Sequence, residues 1–301
     1  MIIVQLKGGL GNQLFQYAAA YSLAKHHNVE IKVDCSELGY DVKVGSFRNF
    51  ELSKFQCNPI IATKDEIEYF TKGFMLKKYF QKLLSPYLRK VYREKDFSYD
   101  ANFFKASKNV YLRGYRQSEK YFEPYKKDIQ RLFAIQESYT ESVFGLKEEI
   151  TSQNSVSIHI RRGDYANNKV ALQTHGLLSE SYFSSAITNI LEQQAHTKFY
   201  VFSDDIGWVK DNIRMLNTAT FITQFESPSA ITDFYLMQHC KHNIIANSTF
   251  SWWAAYLNPN PNKMVIAPKK WFNNAPYDTK DLFPPDWILM RSEERRVGKE
   301  C

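Results

Sequence analysis

S-V-S-I-H-I-R-R-G-D-Y, residues 155 to 165, is the stretch whose reading decides the fold. Val156, Ile158 and Ile160 alternate with Ser157 and His159, the two-residue period of a strand with one strongly apolar face. Arg161, Arg162, Gly163 and Asp164 cut the strand off. Gly163 permits a turn, and Asp164 suits a turn or a helix start. In an open α/β sheet, ligands bind beyond the carboxyl ends of the strands. Two permanently charged guanidinium groups therefore stand where a ligand goes, and their planar forks match phosphate oxygens. An ion pair of either arginine with Asp164 is the plainer reading, and these residues alone leave both open.

Downstream, strands and helices alternate. Phe199 to Phe202 reads as a strand ending at Ser203-Asp204-Asp205, and Asn243 to Ala246 as a strand ending at N-S-T-F-S. Met264 to Ala267 reads as the last strand. Helices are expected through Tyr182, Ala186, Ile187 and Leu191, around Trp208, from Ile231 to Cys240, and over W-W-A-A-Y-L. Three strands thus end in polar sets, and a parallel sheet puts those ends on one edge. Ser248, Thr249 and Ser251 lie between a strand and a helix start, where N–H groups and hydroxyls suit phosphate. Ordinary N-capping uses the same residues. Asp204 could accept from the two donors on the N1 and N2 edge of guanine, or cap the next helix, and Asp205 competes for both roles.

Upstream, Ile2 to Leu6 is a short apolar strand, followed by K-G-G-L-G-N-Q and a helix with Leu14, Ala18 and Tyr21 on one face. Val29 to Val33 completes a βαβ unit ending at Asp34. A dinucleotide fingerprint has Gly9 and Gly11 but fails at Leu14. The glycines could instead let a second ligand approach the backbone, with Asn12 and Gln13 offering amide hydrogen bonds. A tight turn with no ligand is the alternative. Val110 to Gly114 reads as a further strand, before Y-R-Q-S-E-K-Y-F. Thr151 to Asn154 is polar, which places a domain boundary near residue 150: domains 1–150 and 151–290.

The 301 residues suffice for two domains, with 44% hydrophobic and 24% charged side chains. Aromatics reach 15%, which suits a sugar-binding cleft as well as cores. A net charge of +7 favours an anionic partner: nucleic acid, a nucleotide-linked substrate or an anionic membrane. Residues 72 to 95 alone carry a net +7, interleaved with aromatic and leucine residues. Such a stretch can lie on an anionic membrane or be a solvated helix with its apolar face on the core, and Pro86 interrupts any single long helix. No run is long enough to span a bilayer and no signal-peptide pattern opens the chain. Cys35, Cys57, Cys240 and Cys301 form no CxxC pair. A reducing cytoplasm is the expected compartment, with peripheral contact at the inner membrane left open. Residues 291–301 resemble an appended tail and are excluded from the fold. No metal site is expected. His239, Cys240 and His242 straddle a helix-to-strand junction, and adjacent Asp204 and Asp205 lack the Asp-x-Asp spacing of metal-dependent sugar-nucleotide enzymes.

Five motifs in order resemble the bacterial α-1,2-fucosyltransferases of glycosyltransferase family 11. They are G-G-L-G-N-Q-L-F-Q-Y-A at 8 to 18, G-Y-R-Q-S-E-K-Y-F at 114 to 122, H-I-R-R-G-D-Y at 159 to 165, F-S-D-D at 202 to 205, and H-N-I-I-A-N-S-T-F-S-W-W-A-A at 242 to 255. Arg116 departs from the aromatic residue expected there. The resemblance implies an α/β, GT-B-like fold of two Rossmann-like domains facing across a cleft, domain 1–150 on the acceptor side and 151–290 binding GDP-fucose. It implies transfer of L-fucose from GDP-β-L-fucose to the 2-hydroxyl of a terminal galactoside, with no cofactor. It places Arg161 on the diphosphate, with His159 and Arg162 shaping the pocket. Asp204 would read guanine, and Ser248, Thr249, Phe250 and Ser251 would hold phosphate and fucose. Asn12 and Gln13 would face the cleft. A β-linked donor and an α-linked product require one inverting displacement and one base, for which Asp164 is the candidate. A non-catalytic nucleotide-sugar or glycan-binding protein on the same fold is the competing expectation. Nucleic-acid binding rests on the basic stretch alone.

Overall fold

A computed structural model describes residues 1–41, 46–72, 84–163, 168–223, 226–227, 229–273 and 277–291. Asp164, residues 73–83 of the basic stretch and residues 292–301 lie outside these. The chain divides into two units: Met1–Gln136 with Tyr277–Pro284, and Glu137–Pro276 with the remainder.

The first unit contains β1 (Ile2–Gln5), α1 (Leu10–His27), β2 (Ile31–Asp34), the hairpin strands β3 (Gly39–Asp41) and β4 (Ser46–Arg48), α2 (Lys64–Thr71), β5 (Val91–Arg93), β6 (Val110–Arg113) and α3 (Lys126–Leu132). Its four-stranded sheet is parallel throughout, in the order β2-β1-β6-β5. Helix α1 is covered on nearly all sides. Leu14, Phe15, Ala18, Ala19, Ala20 and Leu23 have no exposed surface, and the small alanines let the helix sit close to its neighbours. Burying each large side chain of this kind is worth roughly 1.5–3 kcal/mol. The helix stops at Asn28, whose left-handed φ of 51° lets its N–H reach back to the Ala24 and Lys25 carbonyls.

The basic stretch is not one helix, since Val91–Arg93 form the edge strand β5. Tyr277–Pro284 belongs to the first unit through Asp281, which accepts from Lys120 Nζ at 2.5 Å and from the Tyr99 N–H at 3.0 Å.

The second unit contains α4 (Phe144–Ser152), β7 (Asn154–Ile160), α5 (Lys169–His175), α6 (Glu180–Gln193), β8 (Thr197–Ser203), α7 (Ile206–Asn212), β9 (Thr220–Ile222), α8 (Ala230–His239), β10 (His242–Ile244), α9 (Thr249–Tyr256), β11 (Val265–Pro268) and β12 (Ile288–Met290). Its six strands are parallel in the order β12-β11-β10-β7-β8-β9. Val156, Ile158 and Ile160 form the centre of the core with Tyr182, Ile187, Val201 and Ile244. Helix α9 is buried from Ser251 to Tyr256, with Trp252 stacked on Tyr256.

Two expectations need correction. The boundary falls at Gln136/Glu137 and not near 150, because α4 packs on β7 and α8. Glu149 of α4 accepts hydrogen bonds from Lys198 Nζ at 2.7 Å and the Tyr200 hydroxyl at 3.0 Å, both on β8. The strand before Pro268 is also not the last, since Ile288–Met290 pair with β11. No described helix is long and apolar enough to cross a membrane.

Candidate functional site

The second sheet changes direction between β7 and β10. From β7 the chain moves outward through β8 and β9, then returns to the other side for β10, β11 and β12. Carboxyl ends at such a switch point frame a ligand crevice. The three polar strand ends are therefore adjacent, as β10-β7-β8. On the β10 side, the Tyr182 hydroxyl donates to the Ile245 carbonyl at 2.8 Å. The Asn247 amide donates to the His175 carbonyl at 2.8 Å.

Arg161 leaves the end of β7, and its Nη1 lies 2.8 Å from Asp204 Oδ2. Asp204 Oδ1 accepts the Arg162 backbone N–H at 2.8 Å. A Cβ on Gly163 would lie 2.7 Å from Asp204 Oδ2, so glycine is needed for this carboxylate to reach Arg161. Both side chains of the pair are about a third exposed or less. A pair this open to water adds only about 0.2–1 kcal/mol to stability, so what it supplies is the orientation of the guanidinium. Both Asp204 oxygens thus bond the end of β7.

Arg162 turns onto the neighbouring helix. Its Nε pairs with Asp205 Oδ2 at 3.2 Å, and its guanidinium lies 3.8 Å from the Trp208 ring centroid. Asp205 caps α7 by accepting the Trp208 N–H at 3.1 Å. Of the two aspartates, Asp205 caps α7 and Asp204 holds the end of β7. Arg162 thus packs within the unit, against Asp205 and Trp208.

His159 is buried, 7% exposed, with its ring 5.6 Å from that of Phe250, which in turn packs on Phe234. Burial, with Arg161 adding to it, pushes the imidazole down to about 3, against the opposing pull of Asp204. The ring is neutral at ordinary pH, and its Nδ1 has no hydrogen-bond partner among the described residues.

At the end of β10, Ser248 precedes α9 without a side-chain capping bond. The first bond into the helix runs from the Trp252 N–H to the Ser248 carbonyl at 3.0 Å. The first-turn N–H groups ahead of it have no partner inside the helix. Ser248, Thr249 and Phe250 are half-buried, whereas Ser251 is fully buried. The Ser251 hydroxyl donates to backbone carbonyls of Ala246 and Ser248, so it braces the turn and is corrected from ligand contact to support.

Asp233 escaped the sequence reading. It sits in the first turn of α8, beside Phe234, and burial pushes its carboxyl up to about 6. The available signal was an acid inside the apolar run A-I-T-D-F-Y-L. Its carboxyl forms no ion pair with the described residues.

In the first unit only Gly8 of the glycine turn is left-handed, with φ of 80°. Gly9 is the N-cap of α1, and Gly11, Asn12 and Gln13 already lie in the helix. Gln13 has no exposed surface. Its amide donates to the Gly8 and Asn49 carbonyls at 3.0 and 2.8 Å and accepts the Glu51 N–H at 3.0 Å. Gln13 therefore ties the loop to the helix, which corrects its expected role as a ligand-facing group. Asn12 is half-buried. Among the described residues no three His, Cys, Asp or Glu side chains gather as metal ligands.

The glycosyl transferase family 11 model matches residues 1–291. The chain is 33% identical to an α-1,2-colitosyltransferase of Escherichia coli, over 96% of this chain and 99% of that protein. It is also 33% identical to the O-antigen biosynthesis glycosyltransferase WbnK of Escherichia coli, over 95% and 99%. Among solved structures, the α-1,6-fucosyltransferase NodZ, soaked with GDP-fucose, aligns with a TM-score of 0.50 at 15% identity, covering 87% of this chain and 96% of that one. That likeness bears on fold, which is of the GT-B-like class with two Rossmann-like α/β units. Spanning nearly the whole sequence, the match shows that this chain belongs to glycosyl transferase family 11.

Proposed function

We propose that the protein transfers L-fucose from GDP-β-L-fucose to the 2-hydroxyl of a terminal galactoside, with inversion and without a metal. The observation that carries this reading is Arg161 at the switch point, oriented by Asp204, on the strand neighbouring the uncapped start of α9. A guanidinium and a set of free helix N–H groups together suit a diphosphate. As the sugar–oxygen bond breaks, negative charge grows on the departing diphosphate, and Arg161 meets it. Ser248, Thr249 and Phe250 bound the phosphate and sugar side, and His159 presents a neutral ring to the nucleotide. The guanine edge falls to Asp204, the expected reader, or to Asp233, whose carboxyl is not ion-paired with the described residues. Asp164, outside the described residues, takes the acceptor proton.

One alternative has a specific observation behind it. The colitosyltransferase relative points to colitose, the 3-deoxy counterpart of fucose, as the donor sugar. The deciding experiment incubates the protein with a galactoside panel and either GDP-fucose or GDP-colitose, and reads GDP release and product linkage by NMR. An α-1,2 fucoside supports the first reading and an α-1,2 colitoside the second. GDP-sugar binding without transfer to any galactoside would leave only a binding protein.

A further inference from the structure

The first sheet has its own switch point, between β1 and β6: β2 lies on one side of β1, and β6 and β5 on the other. The loops leaving these two strands are the glycine turn and G-Y-R-Q-S-E. A side-chain hydrogen bond joins the second loop to the first turn of α1, just after the glycine turn. Gln117 Nε2 donates to Asn12 Oδ1 at 2.8 Å.

The surroundings are built around that bond. Gly8, at φ 80°, leaves room for Asn12, since a Cβ there would lie 2.5 Å from Asn12 Nδ2. Glu94 accepts the Tyr115 N–H at 2.6 Å and the Arg116 N–H at 2.7 Å. Arg116 is held at a left-handed φ of 51°. The Ser118 N–H closes back on the Arg116 carbonyl at 2.8 Å, which puts Gln117 at the apex of a three-residue turn. Gln117 is 7% exposed, yet its Oε1 is buried without a partner among the described residues. The same holds for Nη1 of Arg116, which is 2% exposed. Gln13 and Gln16 on α1 make the contrast, because each uses both ends of its amide on the backbone. Buried polar atoms are almost always paired, and leaving them unpaired is unfavourable unless a site requires it.

We infer that Gln117 is the positioning residue of the acceptor subsite. It fixes the Asn12 amide so that Nδ2 is the group Asn12 presents, and that N–H donates to a hydroxyl oxygen of a neutral sugar. Gln117 stands behind Asn12 and keeps it from turning over. The inference rests on the transferase reading above, with the acceptor glycan as the ligand.

Two variants test it, Gln117→Leu and Asn12→Asp. Asn12→Asp keeps the oxygen that receives the Gln117 hydrogen bond but removes the N–H. A purely structural pair tolerates it, whereas a ligand-presenting pair does not. Expected for both variants are an acceptor KM raised about tenfold, a GDP-sugar KM within twofold and an unchanged Tm. An Asn12→Asp enzyme with wild-type acceptor KM overturns the inference, and so does a rise in donor KM that matches the acceptor's. If Gln117→Leu fails to fold, Asn12→Asp decides alone. If the wild type transfers sugar to no galactoside, the transferase reading fails separately. Saturation-transfer NMR with lactose then decides here. A lactose signal present with wild type and absent with Asn12→Asp supports the subsite. A signal equal in the two proteins, or none with wild type, overturns it.

Discussion

Asp204 grips Arg161 from the neighbouring strand end, 2.8 Å from Oδ2 to Nη1, and takes the next backbone N–H with its other oxygen. Gly163 leaves the space in which it does so. Gly163→Ala should push the carboxylate off Arg161 and lower kcat roughly 10- to 100-fold, the scale set by misplacing a reacting group. Asp204→Ala should cost a similar factor. Because both act through one contact, the double variant should be no worse than Asp204→Ala alone. Multiplicative losses in steady-state kinetics would show that the two residues act separately.

The half-buried carboxyl of Asp233 gives a pH signature. Its pKa is raised from the usual carboxylate range to about 6. Folding therefore binds a proton, and this group's contribution is fully present below about pH 4 and lost as pH rises through 6. Asp233→Asn should be more stable than wild type by about 3 kcal/mol at pH 7.5 and indistinguishable at pH 4 in urea unfolding. The same variant should bind GDP more weakly if the carboxylate reads the base, which calorimetry decides.

His159 acts in the opposite direction. With its pKa near 3 in the folded protein, unfolding takes up a proton at any pH between about 3 and 6.5. Its contribution is present above pH 6.5 and lost on acidification. His159→Phe should flatten the fall in stability between pH 6.5 and 4.5. An acid limb as steep as that of wild type would mean that the ring is protonated in the folded state.

Asp164→Asn should lower kcat while GDP affinity, measured by calorimetry, stays within twofold. Retained turnover would remove Asp164 from the role of base.

Much of this was legible in the sequence for physical reasons. Val156, Ile158 and Ile160 announce a central strand because only alternation can fill one face of a sheet. The polar sets after β7, β8 and β10 announce an edge because parallel connections leave those ends together. What the sequence could not separate was which polar group faces a ligand and which faces its own backbone. Gln13 and Asn12 are neighbours in one motif, yet only Gln13 is committed to the loop at Asn49–Glu51. Asp204 and Asp205 are likewise adjacent, and their roles follow from the strand twist and the helix start. The short edge strands β5, β9 and β12 have three residues each and no room for a period to show. Asp233 hid inside an apolar helical run.

The central claim is that a fixed guanidinium meets the charge on the departing diphosphate where other sugar-nucleotide enzymes use a metal. The measurement is kcat for wild type and Arg161→Lys with GDP-fucose, a galactoside and excess EDTA. Lysine keeps the charge but not the planar two-pronged geometry. The wild type should turn over undiminished, and Arg161→Lys should fall on the order of 100-fold or more. An Arg161→Lys rate near wild type, or a wild-type rate abolished by EDTA and restored by Mg²⁺ or Mn²⁺, would contradict it.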